Sequence, residues 1–328
     1  MAGQLLVVTA TDYHTAGEPF RIVTGGVPPI PGHTILEKRR WAQEHLERVR
    51  KLLVYEPRGH ADMYGCFVTE PEDQGADLGV LFFHNAGYST ACGHGTIALA
   101  TAAVETGMVP SIEPETRLTL DVPSGRLPVA VTVADGRATG AAFRNIPAWV
   151  EATGLEAAGV VADVAYGGAF YGSVDTSALG LQVEPANVPA LIELGRDVKR
   201  ELEAQREFVH PEAPDIRDIY GVIFWQDEGE DEGRIVQRNV TVFADGEVDR
   251  SPCGSGTSAR LALLGTDRTL LHRSVIGTEF EARIIEHVNF AGRRAVVTEI
   301  AGSAHRTGSH EFVLEADDPL GEGFLLRC

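Results

Sequence analysis

The feature that most constrains this chain is a short segment that occurs twice. Cys92-Gly93-His94-Gly95-Thr96-Ile97-Ala98 and Cys253-Gly254-Ser255-Gly256-Thr257-Ser258-Ala259 agree at five of their seven positions. Each places one thiol where a small-residue turn enters a run of small and apolar residues, the pattern of a helix start. Cys253 follows Cys92 by about half of the 328-residue chain. The duplication predicts two related halves, each presenting one cysteine in the same local setting.

Composition narrows the class. With 36 glycines and 17 prolines, the chain expects many tight turns and a strand-rich α/β fold, not a helical bundle. A net charge of −19 argues against nucleic acid as a partner, because phosphate binding needs a basic surface. No apolar run approaches the roughly 20 residues of a spanning helix, so no membrane partner is expected. The uncharged start, Met1 to Val8, reads as a first strand and not a signal peptide. Four cysteines (Cys66, Cys92, Cys253 and Cys328) are too sparse for a disulfide scaffold and favour a reducing, cytoplasmic setting.

Taken in order, residues 4–12 read as a strand, 14–19 as a polar turn and 20–24 as a second strand. His33-Thr34 caps one long helix over 35–54. Strands are expected at 66–69, 79–84, 117–122 and 127–133, with the first cysteine helix over 93–106. The second half repeats the style, with strands at 160–165, 166–171, 221–225 and 234–243. Helices are expected over 188–208 and 256–264, and tail strands within 283–300 and 311–326. The acidic tract Asp227 to Glu232 is expected as a solvated loop. The softest boundary lies near Pro147. It gives one domain of 1–147 plus a C-terminal return of about 305–328, and a second of 148–304, with the active site in the cleft between them.

A thiol at a helix N-terminus sits beside unsatisfied N–H groups and the positive end of the macrodipole, which favour thiolate below the free pKa of about 8.5. Flanking glycines let a small anion approach the same N–H groups. Two such ends facing each other suit inversion of a carbon beside a carboxylate. One thiol removes the α-proton from one face, and the other delivers a proton to the opposite face. Opposed N–H groups stabilise the carboxylate as it gains enolate character. His94 and Asp249 then hold a substrate ammonium, and no cofactor is required. Zinc through Cys92, His94 and Cys253 lacks the paired spacing of a metal site, so no metal is expected. A disulfide between Cys92 and Cys253 lacks a C-x-x-C signature. Only Lys38, Lys51 and Lys199 occur, all in charged helical contexts, which argues against a pyridoxal Schiff base.

Several motifs carry a family resemblance along nearly the whole chain. They are His14-Thr15-Ala16-Gly17-Glu18-Pro19, Pro57-Arg58-Gly59-His60, Cys92-Gly93-His94-Gly95, Tyr166-Gly167-Gly168-Ala169-Phe170-Tyr171, Asp249-Arg250-Ser251-Pro252-Cys253-Gly254 and Asp318-Pro319-Leu320. The chain resembles the proline racemase superfamily, with its hydroxyproline 2-epimerases and trans-3-hydroxyproline dehydratases. The resemblance implies two pseudo-symmetric domains of diaminopimelate epimerase-like α/β fold, each a curved sheet around a central helix. It implies Cys92 and Cys253 as the acid/base pair, and Gly93, His94, Gly254 and Ser255 as the carboxylate site. His94 and Asp249 would hold the ring nitrogen, while Tyr64 and Phe243 shape the ring pocket. No cofactor and a homodimer are implied as well.

The dehydratase branch characteristically has threonine where this chain has Cys253, so two thiols favour a racemase or epimerase of proline or hydroxyproline. Residues 57–65 and 87–90 look more like the dehydratase branch, which keeps trans-3-hydroxy-L-proline dehydration as the alternative. Ala91 stands where the family often has methionine and widens the pocket. A non-catalytic binding protein is the remaining reading, though a binder has no need of two thiols.

Overall fold

A computed structural model describes residues 5–326; the expected strand start at Gln4 and Cys328 lie outside them. The first half contributes β1 (Leu6–Thr15), β2 (Glu18–Gly25), α1 (Ile35–His45), α2 (Glu47–Val54), β3 (Tyr64–Thr69), β4 (Leu78–His84) and β5 (Gly87–Tyr88). It continues with α3 (Gly93–Glu105), β6 (Glu115–Val122), β7 (Gly125–Ala134) and β8 (Arg137–Arg144). Then come β9 (Trp149–Ala157), β10 (Val160–Tyr166), β11 (Phe170–Asp175), α4 (Val188–Gln205), β12 (Ile219–Asp231), β13 (Arg234–Phe243) and β14 (Glu247–Asp249). The chain closes with α5 (Gly254–Leu264), β15 (Leu270–Ser274), β16 (Glu279–Phe290), β17 (Arg293–Gly302) and β18 (Ala304–Leu314).

Strand pairing repeats across the two halves. In the first, the order runs β18-β1-β2-β3-β4-β6-β7-β8, with β2–β3 and β4–β6 parallel. In the second it runs β9-β10-β11-β12-β13-β15-β16-β17, with β11–β12 and β13–β15 parallel in the matching places. Each parallel pair needs a crossover. The crossovers are α1–α2 and α4 on the outside, and α3 and α5 on the inside. The halves join where β8 pairs with β17, Ile300 facing Phe143. This is a mixed α/β fold in which each curved sheet surrounds a helix that begins at one of the two cysteines.

The two inner helices are stabilised differently. Every residue of α3 from Gly93 to Val104 is buried, and its alanines let apolar strands approach on all sides. Around α5 the interior is polar and largely paired. Ser258 Oγ lies 2.7 Å from both Asn145 Nδ2 and Thr298 Oγ1, and Arg260 Nε donates to Gln237 at 2.9 Å. Thr257 Oγ1 meets His272 Nδ1 at 2.8 Å, and burial pushes that imidazole down to about 3, which keeps it neutral. An apolar cluster of the second half instead lies under α4, with Leu191, Val198 and Leu202 against Val222 and Phe224.

Several expectations are corrected. The 35–54 segment is two helices, broken at Leu46, after a capping box between Thr34 and Glu37. The 166–171 stretch is two strands, β10 and β11, joined at Gly167–Ala169. The acidic tract is not a loop: β12 continues to Asp231 because arginines across the sheet neutralise it. Arg238 Nε donates to Glu228 at 2.6 Å and Arg273 Nη1 to the same carboxylate at 3.1 Å. Helix α4 ends at Gln205, short of the expected 208. After Leu314 the described residues of the tail form no further strand, only an isolated bridge of Phe324 to Glu56.

Candidate active site

The inner helices meet N-terminus to N-terminus. A Cβ built on Gly93 would lie 2.4 Å from Gly254 Cα, and one on Gly254 would lie 2.7 Å from Gly93 Cα, so only glycine fits at either position. Gly93, His94, Gly254 and Ser255 occupy the first turns of α3 and α5, whose N–H groups have no acceptor within their helices.

Each thiol is placed by its own turn. Cys92 is the N-cap of α3, and its Sγ accepts from Gly95 N at 3.3 Å. Cys253 has φ of 62°, an uncommon conformation for a residue with a side chain. The preceding turn holds it there. Ser251 donates through both N and Oγ to Asp249 Oδ1, at 2.8 and 2.7 Å, and Ser251 Oγ accepts from Cys253 N at 3.1 Å. The Asp-x-Ser-Pro-Cys spacing is the sequence of that brace.

Cys92, Cys253, Gly93, His94, Asp249, Ser255, Tyr64 and Phe243, together with Ala91, line one small cavity. Gly254 lies beneath it, against Gly93. Cys92 and Cys253 are both free and buried. A wider cleft, about 770 Å³ beside Tyr55, Asn85 and Glu247, is lined by no thiol. Sequence reasoning missed two wall residues, Tyr171 and Tyr220. Tyr171 OH lies 2.7 Å from Ser255 Oγ and 3.9 Å from Cys253 Sγ. For Tyr220 a signal was present: Tyr64-Gly65 begins β3, and Tyr220-Gly221 falls at the start of the corresponding strand β12.

His94 stands between thiol and carboxylate. Its Nε2 and Nδ1 lie 3.4 and 3.6 Å from Cys92 Sγ, and Nδ1 is 3.7 Å from Asp249 Oδ2. The edge-on rings of Tyr64 and Phe20 hold the imidazole in place. Behind this group Glu18 is fully buried and accepts from Arg250 N at 2.7 Å, and Arg250 Nη2 donates to Asp62 at 2.9 Å. Burial first, and then the Asp249 charge, pushes the Glu18 carboxyl well above the carboxylate range.

The expectation that the helix ends lower the thiol pKa is corrected by the burial of both sulfurs. Burial pushes the Cys92 thiol well above 9.0; the Gly95 N–H opposes this, and the Asp249, Cys253 and Glu18 charges add to it. Burial and the Asp249 charge push Cys253 up to about 12. Desolvation in a closed site outweighs the dipole. A general base with a raised pKa ionises later as pH rises. If a thiol is the base, kcat/KM, which reports the free enzyme, should therefore still be climbing at pH 9 in a pH–rate profile. A plateau by pH 7 would contradict the burial argument.

Comparison with known proteins agrees with this geometry. The proline racemase family profile matches residues 10–325. The chain is 44% identical over 331 residues to a 3-hydroxyproline 2-epimerase of Burkholderia multivorans and 44% identical over 331 residues to a trans-3-hydroxy-L-proline dehydratase of Azospirillum brasilense. Both alignments cover 98% of each partner. A solved hydroxyproline epimerase from Agrobacterium vitis, with bound trans-4-hydroxy-L-proline, superposes with a TM-score of 0.91 at 33% identity, over 99% of this chain and 96% of that one. The duplicated thiol segment, the repeated strand order and these matches have one common reading: the chain belongs to the proline racemase family.

Proposed function

We propose that the protein inverts the α-carbon of proline or a hydroxyproline by two-thiol acid/base catalysis. Family membership supports isomerase or lyase chemistry on proline-type amino acids. The observation that carries the finer reading is the placement of Cys92 and Cys253 at the ends of two opposed helices, lining one cavity. In this reading the substrate carboxylate sits against the first-turn N–H groups of Gly93, His94, Gly254 and Ser255. The ring ammonium faces Asp249 Oδ2, the oxygen that Ser251 leaves free.

One thiol, ionised, takes the α-proton, and the C–H electron pair delocalises into the carboxylate. The four N–H groups hold the charge that develops on its oxygens. The other thiol gives its proton to the opposite face, which leaves that sulfur ionised and the first protonated. The site is then set for the reverse direction without further proton transfer, so the scheme calls on no cofactor. Both thiols lie on equivalent elements of the two pseudo-symmetric halves, which supports reading those halves as domains with the reaction between them. The family resemblance also supports a homodimer, and the sparse cysteines support a cytoplasmic location; no helix among the described residues is long and apolar enough to cross a membrane.

Dehydration of trans-3-hydroxy-L-proline is the second reading, supported by the 44% identity to the Azospirillum brasilense dehydratase. It needs one base for the α-proton and departure of the 3-hydroxyl as water, and it gives a ketimine. Incubation in D2O with L-proline and with the trans-3- and trans-4-hydroxy-L-prolines separates the outcomes. We expect C2 inversion with deuterium incorporation. A ketimine without inversion supports the dehydratase, and neither exchange nor ketimine with any ring sinks both.

A further inference from the structure

We propose that Tyr220 is a specificity-determining residue: with Tyr64 and Ser89 it forms a hydroxyl chain that selects ring-hydroxylated substrates over unsubstituted proline. This rests on the α-carbon chemistry proposed above and adds to it the part of the pocket that reads the ring. The first support is the symmetry. Tyr64 and Tyr220 stand at matching starts of β3 and β12, each followed by a glycine that packs against the neighbouring strand, Gly65 opposite Phe83 and Gly221 opposite Phe243. The same pseudo-symmetry that brings the thiols together brings these two phenol oxygens to 3.0 Å, inside the cavity the thiols line.

The second support is a count of protons. Tyr64 OH also bonds Ser89 Oγ, so three hydroxyls share two hydrogen bonds. Three hydroxyls carry three protons, and a chain of two bonds uses two of them. When Ser89 donates to Tyr64 and Tyr64 to Tyr220, the third proton falls on the Tyr220 hydroxyl, on the wall of the thiol cavity, with no acceptor among the described residues. Burial pushes both phenols well above their ordinary pKa, so they remain neutral donors. A ring hydroxyl, which both accepts and donates, completes the chain, whereas the CH2 groups of proline leave it unpaired in a closed site. Tyr220 is held for this task. It stacks on Phe243 at 5.5 Å, meets Tyr171 edge-on at 5.8 Å, and forms the wall between the cavity and an outer cleft that reaches Arg39 and Lys199.

Sites built to bond a substrate hydroxyl reject the analogue lacking it far more strongly than apolar pockets reject a methylene. The test compares the wild type and Tyr220→Phe on L-proline, trans-3-hydroxy-L-proline and trans-4-hydroxy-L-proline, reading α-proton exchange in D2O as kcat/KM. Phenylalanine keeps the ring stacking and removes only the hydroxyl. The wild type should favour at least one hydroxylated ring over proline by about 100-fold or more. In Tyr220→Phe that ratio should fall by about 10- to 100-fold. A wild-type ratio near one, or a ratio unchanged in Tyr220→Phe, overturns the proposal while leaving the two-thiol reading intact. Absence of exchange with every ring overturns the two-thiol reading itself, and this assignment with it.

Discussion

Cys92→Ser and Cys253→Ser should each lower kcat for α-carbon inversion by about 100- to 10,000-fold, the range that a positioned acid or base contributes. The loss should be comparable in the two variants, because each turnover uses one sulfur as base and the other as acid. Serine preserves the size and the turn but is far too weak an acid to exchange roles with a thiol. Steady-state rates measured from both C2 epimers read the effect. If Cys253→Ser retains near wild-type turnover of trans-3-hydroxy-L-proline while Cys92→Ser does not, the single-base dehydratase reading replaces epimerisation. A folded variant is expected in both cases. Cys253 holds its φ of 62° through Ser251, whose hydroxyl bonds the backbone N–H of residue 253 and not the thiol.

The second large effect comes from a methyl group. In Gly93→Ala the new Cβ would fall 2.4 Å from Gly254 Cα, a backbone atom that cannot rotate away. The two helix ends must separate, which should cost about 1–3 kcal/mol of stability as an overpacked contact. The catalytic loss should be larger than that destabilisation suggests. Both thiols and all four first-turn N–H groups move apart together, and a displacement of about 1 Å can reduce the rate about 100-fold. Thermal unfolding and kcat measured on the same sample check both parts. A fully active Gly93→Ala would show that the helix ends are not in working contact.

The features legible in the sequence were those written locally. The repeated cysteine segment gave the helix starts, the thiols and the symmetry, because a glycine-flanked turn into a small-residue helix needs no distant partner to be recognised. The Thr34 cap was legible for the same reason. Other features are set by contacts across the fold. The break at Leu46 lies inside an unbroken helical pattern. The acidic stretch from Asp227 to Asp231 is held in β12 by Arg234, Arg238 and Arg273 from neighbouring strands. The polar lining around α5 pairs Asn145, Thr298 and Gln237, which are far from it in sequence. Tyr220 escaped notice because a lone Tyr-Gly dipeptide means little until β3 and β12 are seen to correspond. The thiol pKa expectation failed because the sequence shows the helix end but not the burial around it.

The most direct test of two-thiol inversion is where solvent deuterium appears early in the reaction. The preferred C2 epimer is incubated in D2O, and at a few per cent conversion substrate and product are separated and their α-positions read by NMR or mass spectrometry. Two sulfurs on opposite faces predict product carrying deuterium at Cα while recovered substrate remains protiated, since the proton leaves to one thiol and the deuteron arrives from the other. Protium retained in the product, or deuterium entering the substrate as fast as the product forms, would require a single group serving both faces and would contradict the account.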